Sequence, residues 1–333
     1  MNLLGKTLPE LDSILAEFGL NEYALKLAYW LYKRPGSAFQ QMDTLPKWVR
    51  GILETNFSNQ IQQPEYQQSS SDGTQKFVFR SKDAFIETVY MPYVKRNTLC
   101  ISSQAGCRFA CKFCNTGKQG FSHQLSAQEI INQVISINQQ LPITHIVFMG
   151  MGEPFDNTIE VLKAYEILTA QWGLAFGATK TTVSTIGILE GFKHYVLNTK
   201  GNLAISLHSP FPSQRLELMP SERANTIEDV IQFLNKHPFQ KPRRLSFEYL
   251  LLKGVNHSTQ HAQATADLLK GLNCHVNLLP YNTFDGGFEM VGAHETELFR
   301  QELNSFGVMA TIRSARGTDI AAACGLLSGR NRN

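Results

Sequence analysis

Apolar residues recur along the chain in two rhythms. Up to about residue 58 the spacing is helical. Leu11, Ile14, Leu15 and Phe18 share one face behind Pro9-Glu10, with Gly19 as a stop. Tyr23, Leu27, Trp30 and Leu31 form a second stripe between a capping Asn21 and Pro35-Gly36. Pro46 opens a third, carrying Trp48, Val49, Ile52 and Leu53. These stripes predict a small helical module. Its Lys26, Lys33, Arg34, Lys47 and Arg50 suit phosphates, but acidic residues nearly balance them, so plain packing is an equal reading. Residues 59–73 are rich in Gln and Ser, with Pro64, and read as a linker. Two β-rich runs, 75–80 and 84–91, flank Ser81-Lys82-Asp83 as a hairpin.

After Arg96 a short apolar run, a loop and an amphipathic stretch alternate. The spacing predicts strands over 99–103, 145–149, 181–185, 203–207, 245–251 and 275–279. Helices are expected near 126–140, 157–171, 187–198, 225–236 and 258–271, then a helix near 294–306 and a strand over 308–313. Crossover helices between successive strands imply a parallel sheet. The fold class is therefore α/β, a partial (β/α)6 barrel open at one side. Its chemistry is expected at the C-terminal ends of the strands. The corresponding division is a helical accessory domain and linker over 1–72, a hairpin over 73–96, a core with C-terminal extension over 97–326 and a tail over 327–333.

Composition adds limits. The chain has 333 residues, 43% apolar and 18% charged, enough for a buried core. Its net charge of +3 says little about nucleic acid, and residues 300–333 carry the whole imbalance, five arginines against Glu302 and Asp319. No membrane-spanning run and no secretory leader are evident, so a cytoplasmic monomer away from membranes is expected. In a reducing compartment the six cysteines point to metal or catalysis rather than a disulfide framework.

Three of them stand as C-x3-C-x2-C: Cys107, Cys111 and Cys114. Thiolates so spaced can converge on one metal centre from a single loop. A structural zinc site wants a fourth ligand nearby, and none follows. Three ligands on a 4Fe-4S cluster leave one iron open to a small molecule. One strand later comes Gly150-Met151-Gly152-Glu153-Pro154. Two glycines admit a ligand close to the backbone, and Glu153 offers a carboxylate to an ammonium. Alone this reads as an ordinary strand-to-helix turn. Behind a three-cysteine loop it resembles the radical S-adenosylmethionine (SAM) superfamily.

Further motifs narrow the resemblance. Residues 100–107 (CISSQAGC), 148–154 (FMGMGEP), Val183-Ser184-Thr185, Ser206-Leu207-His208 and 319–325 (DIAAACG) together resemble the RlmN/Cfr family of radical SAM methyltransferases, which act on an adenosine of 23S ribosomal RNA. The resemblance implies one 4Fe-4S cluster on Cys107, Cys111 and Cys114, and SAM used twice per turnover. It implies SAM contacts at Gly152, Glu153, Ser184, Ser206, Leu207, His208 and Asn282. In the family's reaction a first SAM methylates a cysteine matching Cys324. A radical from the second SAM takes hydrogen from that methyl group, and the carbon adds to adenine. A cysteine matching Cys100 then resolves the thioether, leaving a transient disulfide. Glu87 matches the proton acceptor. The partners implied are 23S ribosomal RNA, transfer RNA as a further substrate, and an electron donor such as flavodoxin. Taken singly, Cys100 and Cys324 read as packing residues, and Glu87 as the solvent face of a hairpin. Cys274 has no motif and reads as structural. Arg313 and Arg316, before Cys324, are candidate phosphate contacts.

The motifs divide over the target carbon. Ser184-Thr185-Ile186-Gly187 and Ser206-Leu207-His208-Ser209-Pro210 are closer to the branch that methylates C8, whereas Gly152-Glu153-Pro154 and Gln119-Gly120-Phe121 resemble the C2 branch. Two other readings remain open: another radical SAM enzyme (an activase or a sulfur-inserting enzyme), and a non-enzymatic zinc or Fe–S nucleic-acid-binding protein.

Overall fold

A computed structural model of the chain describes residues 1–283 and 287–329. Helices α1 (Leu8–Ala16), α2 (Ala24–Lys33) and α3 (Lys47–Asn56) form the N-terminal module. α1 begins one residue before Pro9, because Thr7 caps it: Glu10 N–H donates to the Thr7 hydroxyl, and Thr7 N–H to the Glu10 carboxylate. Leu11, Leu15, Leu27, Leu31, Val49 and Leu53 are buried as the stripes require, whereas Phe18 and Trp48 lie out at the surface. The module shares one apolar core with the rest of the chain. Lys163 reaches across to Glu10 at 2.6 Å, and Tyr32 packs on Trp172 with ring centroids 5.8 Å apart.

The central sheet has ten strands. β1 (Tyr66–Ser69), β2 (Gln75–Ser81), β3 (Ala84–Tyr93) and β4 (Arg96–Cys100) run antiparallel, so part of the expected linker is an edge strand. From β4 onward the sheet is parallel. It continues through β7 (His145–Phe148), β8 (Thr181–Thr185), β9 (Asn202–Ser206), β10 (Leu245–Leu251), β11 (His275–Pro280) and β12 (Ala310–Ile312). β5 (Gln104–Gly106) and β6 (Phe121–Gln124) form a separate ribbon. The ten-strand order starts at β1 and stops at β12 without closure, the open barrel that the alternation predicts.

The crossover helices are α5 (Ala127–Asn138), α6 (Thr158–Thr169), α7 (Leu189–Asn198), α9 (Ile227–Lys236) and α10 (Thr259–Leu268), with α11 (Ala293–Ser305) before β12. Two short helices escaped the periodicity: α4 (Asn115–Gln119) and α8 (Pro212–Leu218). Each is too brief to show a stripe. The first barrel strand also starts earlier than its apolar run. β4 pairs with β3 from Arg96, and after Cys100 the chain leaves the sheet. Ser103 N–H then donates to Met151 O at 2.9 Å, and Met151 N–H to the Ser102 hydroxyl at 2.9 Å. Cluster loop and glycine turn are thus tied together where β4 and β7 end. No described helix is long and apolar enough to cross a membrane.

Candidate active site

The barrel encloses a cavity of about 650 Å³ that runs the length of the strands. At the C-terminal end its wall holds Cys100, Cys114, Gly152, Glu153 and Cys324. Ser184, Ser206, His208 and Asn282 stand beside them, so the structure brings together most of the expected site. Leu207 is different. Its side chain lies in the core, its N–H donates to Glu248 O at 2.9 Å and its carbonyl accepts from Arg215 Nε at 3.2 Å.

The cysteine loop is fixed by its backbone. Cys107 N–H donates to Gly120 O at 2.9 Å, Lys112 N–H to Leu218 O at 3.0 Å and Asn115 N–H to Gly325 O at 2.7 Å. A Cβ on Gly106 would stand 1.9 Å from the Gly120 carbonyl, so the entry to the loop needs glycine. Phe113 sets its ring edge-on to His208, centroids 4.6 Å apart, which seats the loop against β9. Burial pushes all three thiols up, Cys107 to about 12. Backbone N–H groups of Phe109, Thr116 and Gly117 oppose this at Cys107 and Cys114. Among the described residues no three His, Cys, Asp or Glu side chains are drawn into an ion-holding group, these thiols included. The donor set nonetheless fits an iron–sulfur cluster: three thiols on one pinned loop, with amides aimed at sulfur.

Glu153 is buried at 3% exposure, and that burial pushes its carboxyl up to about 7. Three donors hold it: Phe155 N–H at 3.0 Å, the Thr185 hydroxyl at 2.7 Å and Ile186 N–H at 2.9 Å. Gly152 sits at φ +97°, and a Cβ there would come within 2.5 Å of Gln104. His208, also left-handed at φ +57°, accepts Leu250 N–H on Nδ1 at 2.9 Å. Burial lowers its pKa to about 3, so the ring is neutral with its proton on Nε2.

All six cysteines are free thiols. Cys100, at the end of β4, is buried, while Cys324 is open to solvent through the cavity. Burial first, and then the neighbouring Cys324 charge, raise the Cys100 thiol. The Cys324 loop is held at several points. Asn282 Nδ2 donates to its carbonyl at 3.1 Å, and Asn115 Nδ2 and the Thr116 hydroxyl bind Leu326 O and Leu327 O at 3.0 and 2.7 Å. Ser70 and Ser71 bind Asp319, and Gly317 N–H donates to Asp72 at 3.0 Å. Sequence reasoning missed these anchors in the Ser-rich stretch and in α4, since polar loop residues show no periodicity.

Glu87 is not on a solvent face. It is 2% exposed and lies outside the cavity wall. Its carboxylate accepts Ser328 N–H at 3.0 Å and faces Lys76 Nζ at 3.6 Å, clasping the end of the Cys324 segment. Arg316 is likewise engaged, ion-paired to Asp72 and stacked 4.7 Å from the Tyr93 ring, while Arg313 lines the cavity. Arg300 pairs with Glu297, and Arg330 and Arg332 fall outside the described residues. Cys274 packs at the core's edge.

At the opposite end the cavity wall is basic: Arg96, His145, Lys180, Arg244 and His275. Each stands at, or one residue before, the start of a parallel strand. Burial and the charges of Arg96, Lys180 and Arg244 lower the His145 pKa. The recurrence of a basic residue at strand starts is the sequence signal that could have found this end of the cavity.

An open barrel, a three-thiol loop after its first parallel strand and a glycine–glutamate turn after its second define a radical SAM enzyme, and residues 101–268 match the profile of the Radical SAM superfamily. A radical SAM methyltransferase from Sphaerobacter thermophilus superposes with a TM-score of 0.91 at 37% identity, covering 99% of this chain and 100% of that one. The probable dual-specificity RNA methyltransferase RlmN of Bacteroides fragilis is 44% identical over 329 residues, 98% of this chain and 96% of its own. The dual-specificity RNA methyltransferase RlmN of Syntrophus aciditrophicus is 39% identical, with 99% and 97% covered. The chain belongs to the RlmN family of radical SAM RNA methyltransferases.

Proposed function

We propose that the protein methylates an adenine ring carbon, C2 or C8, of 23S ribosomal RNA, with transfer RNA as a second substrate, through an S-methylcysteine at Cys324. The observation that carries this is the pairing of Cys100 and Cys324 in one cavity with the glycine–glutamate turn, two thiols beyond those the cluster needs. Cys107, Cys111 and Cys114 hold the 4Fe-4S cluster. When bound, the cluster and SAM supply the methyl group and a hydrogen-abstracting radical, with a donor such as flavodoxin providing the electron. Cys324 takes the methyl group on sulfur and gives up its proton. That methyl carbon, less one hydrogen, bonds to the adenine carbon. Cys100 then attacks the Cys324 sulfur as the bond from that sulfur to the new carbon breaks: a transient disulfide forms, the Cys100 proton passes to the departing methyl carbon, and the one electron left over returns to the electron-donor chain. Glu87 is the proton acceptor in this scheme. To reach adenine it must let go of Ser328. Mass spectrometry of nucleosides from RNA treated with reconstituted enzyme and deuterium-labelled SAM tests the proposal. A labelled methyladenosine is expected, and its retention time separates C2 from C8. No labelled adenosine, or no methyl on Cys324 by intact mass, would overturn it.

Glu153 receives the SAM ammonium. With its carboxyl near 7, the ionised form grows as pH rises, and so does the attraction for a cation. SAM affinity, read by calorimetry, is expected to increase about tenfold between about pH 6 and pH 8. Glu153→Gln is expected to bind more weakly and to lose that dependence.

The basic mouth receives the RNA backbone, and adenine enters the bore there. Among the described residues Arg96, Lys180 and Arg244 have no carboxylate partner within ion-pair range. Replacing all three by glutamine is expected to flatten the slope of log affinity against log salt by about two, since each single-strand phosphate contact contributes about 0.7. An unchanged slope would place RNA elsewhere.

A further inference from the structure

β10 is buried over its whole length, yet it carries a carboxylate at its centre. Its residues alternate by the period of two. Ser246, Glu248 and Leu250 line the bore, while Phe247 and Tyr249 lie in the apolar core. Burying a carboxyl in a strand is costly unless a partner compensates. Here the compensation is partial. Glu248 Oε1 accepts the Ser246 hydroxyl at 2.9 Å and Asn277 Nδ2 at 2.8 Å. The Thr311 hydroxyl donates to Asn277 Oδ1 at 2.9 Å, which fixes that amide's orientation. Oε2 has no hydrogen bond among the described residues. The carboxyl is thus immobilised by one oxygen and presents the other to the cavity.

Its position along the bore is informative. The expected SAM contacts stand at the strand ends, and Arg244 opens the basic mouth one residue before β10 begins. Glu248 stands level with Ser206, the last residue of β9, and four residues above Arg244. It is close enough for its charge to raise the Cys324 thiol, and Arg313 acts on it from the cavity wall. A base entering from the basic mouth toward Cys324 passes this carboxyl. Adenine carries one exocyclic donor, its N6 amine, and a carboxylate oxygen is the acceptor that complements an amine of this kind.

We propose that Glu248 Oε2 accepts a hydrogen bond from the exocyclic amine of the substrate adenine and so selects adenine over other purines. This rests on the RNA-methylation reading above. SAM also carries an adenine, and the same chemistry could serve it. Its place beside Cys324, the sulfur whose carbon joins the base in that reading, favours the RNA base.

The test uses reconstituted holoenzyme and three RNAs bearing adenine, hypoxanthine or unsubstituted purine at the target position. Wild-type enzyme is expected to favour adenine by about 10- to 100-fold in kcat/KM, the scale set by leaving one buried hydrogen-bonding group unpaired. In Glu248→Gln, Ser246 and Asn277 keep the amide oxygen on their side, so its NH2 faces the bore. Donor then meets donor for adenine, and the preference is expected to shift to hypoxanthine, whose O6 accepts. Glu248→Ala should bring the three substrates within about threefold of one another. Ratios are taken within one variant, so loss of folded protein cancels, and RNA affinities supply the same ratios where turnover is slow. Retention of the wild-type ratio in both variants would overturn the proposal. So would weakened SAM binding with unaltered base preference, which would assign the carboxyl to SAM. If wild-type enzyme modified none of the RNAs, the underlying reading would fall, and the inference with it.

Discussion

Replacing Cys100 with alanine is expected to leave RNA covalently attached to the protein. Cys100 lines the cavity, so the substitution removes a sulfur and leaves β4 and its pairing with β3 and β7 in place. Cys324 is on the other side of the chemistry. In the proposed reaction it still acquires its methyl group and still bonds to adenine, but nothing remains to attack its sulfur and release the base. The Cys100→Ala protein treated with RNA and SAM should therefore run as a higher-mass band in a denaturing gel, sensitive to nuclease. Release of methylated RNA should fall by more than about 100-fold, as expected when a nucleophile that forms a covalent intermediate is removed. Cys324→Ala should give no band and no product. Adding Cys324→Ala to Cys100→Ala should abolish the adduct, which shows where the bond forms. Free methylated RNA from Cys100→Ala at the wild-type rate would mean that the two thiols do not act in series.

Local spacing is what made this chemistry legible. Cys107, Cys111 and Cys114 lie within eight residues, so their convergence on one loop needs no knowledge of the fold. The alternation of apolar runs with amphipathic stretches likewise gave the parallel strands, because the face of each strand that helices cover must be apolar while the other lines the cavity. Long-range partners were a different matter. Glu87 looked like the outer face of a hairpin because β2 and β3 alone suggest two sides. Its neighbour Ser328 lies 241 residues away. Leu207 sits in a motif whose serine and histidine line the cavity, and strand alternation turns the residue between them into the core. Ser70, Ser71 and Asp72 read as linker, yet they anchor the loop bearing Cys324. The basic mouth was hidden because its residues are about 30 to 65 apart and become neighbours only when the sheet forms. The Cys324 loop could be named from its motif, but its anchorage required the structure.

Arg215 carries the largest expected effect on stability. It sits in α8, which the periodicity did not reveal, and its guanidinium is fully buried. Nη2 donates to Ile186 O at 2.9 Å and Ser206 O at 3.0 Å, and Nε donates to Leu207 O at 3.2 Å. Nη1 pairs with buried Glu222, whose Oε1 in turn accepts Ile227 N–H at 3.0 Å. One side chain thus satisfies carbonyls where β8 and β9 end, beside Ser206 and His208. Burial lowers its pKa to about 10, which leaves it protonated at neutral pH. Arg215→Met keeps much of the volume but takes a donor from three carbonyls, of which Leu207 O keeps Ser209 N–H, and strands a buried carboxylate. The cost expected is about 3–5 kcal/mol, read from the urea midpoint of the apoprotein. Adding Glu222→Leu removes the uncompensated charge and should recover part of that loss; further destabilisation instead would contradict the pairing. The effect reaches the chemistry through the same helix. Leu218, the last residue of α8, accepts Lys112 N–H inside the cysteine loop. Loosening α8 frees that loop, so Arg215→Met should also hold less iron after anaerobic reconstitution, although Arg215 donates no hydrogen bond to the three thiols proposed to bind it.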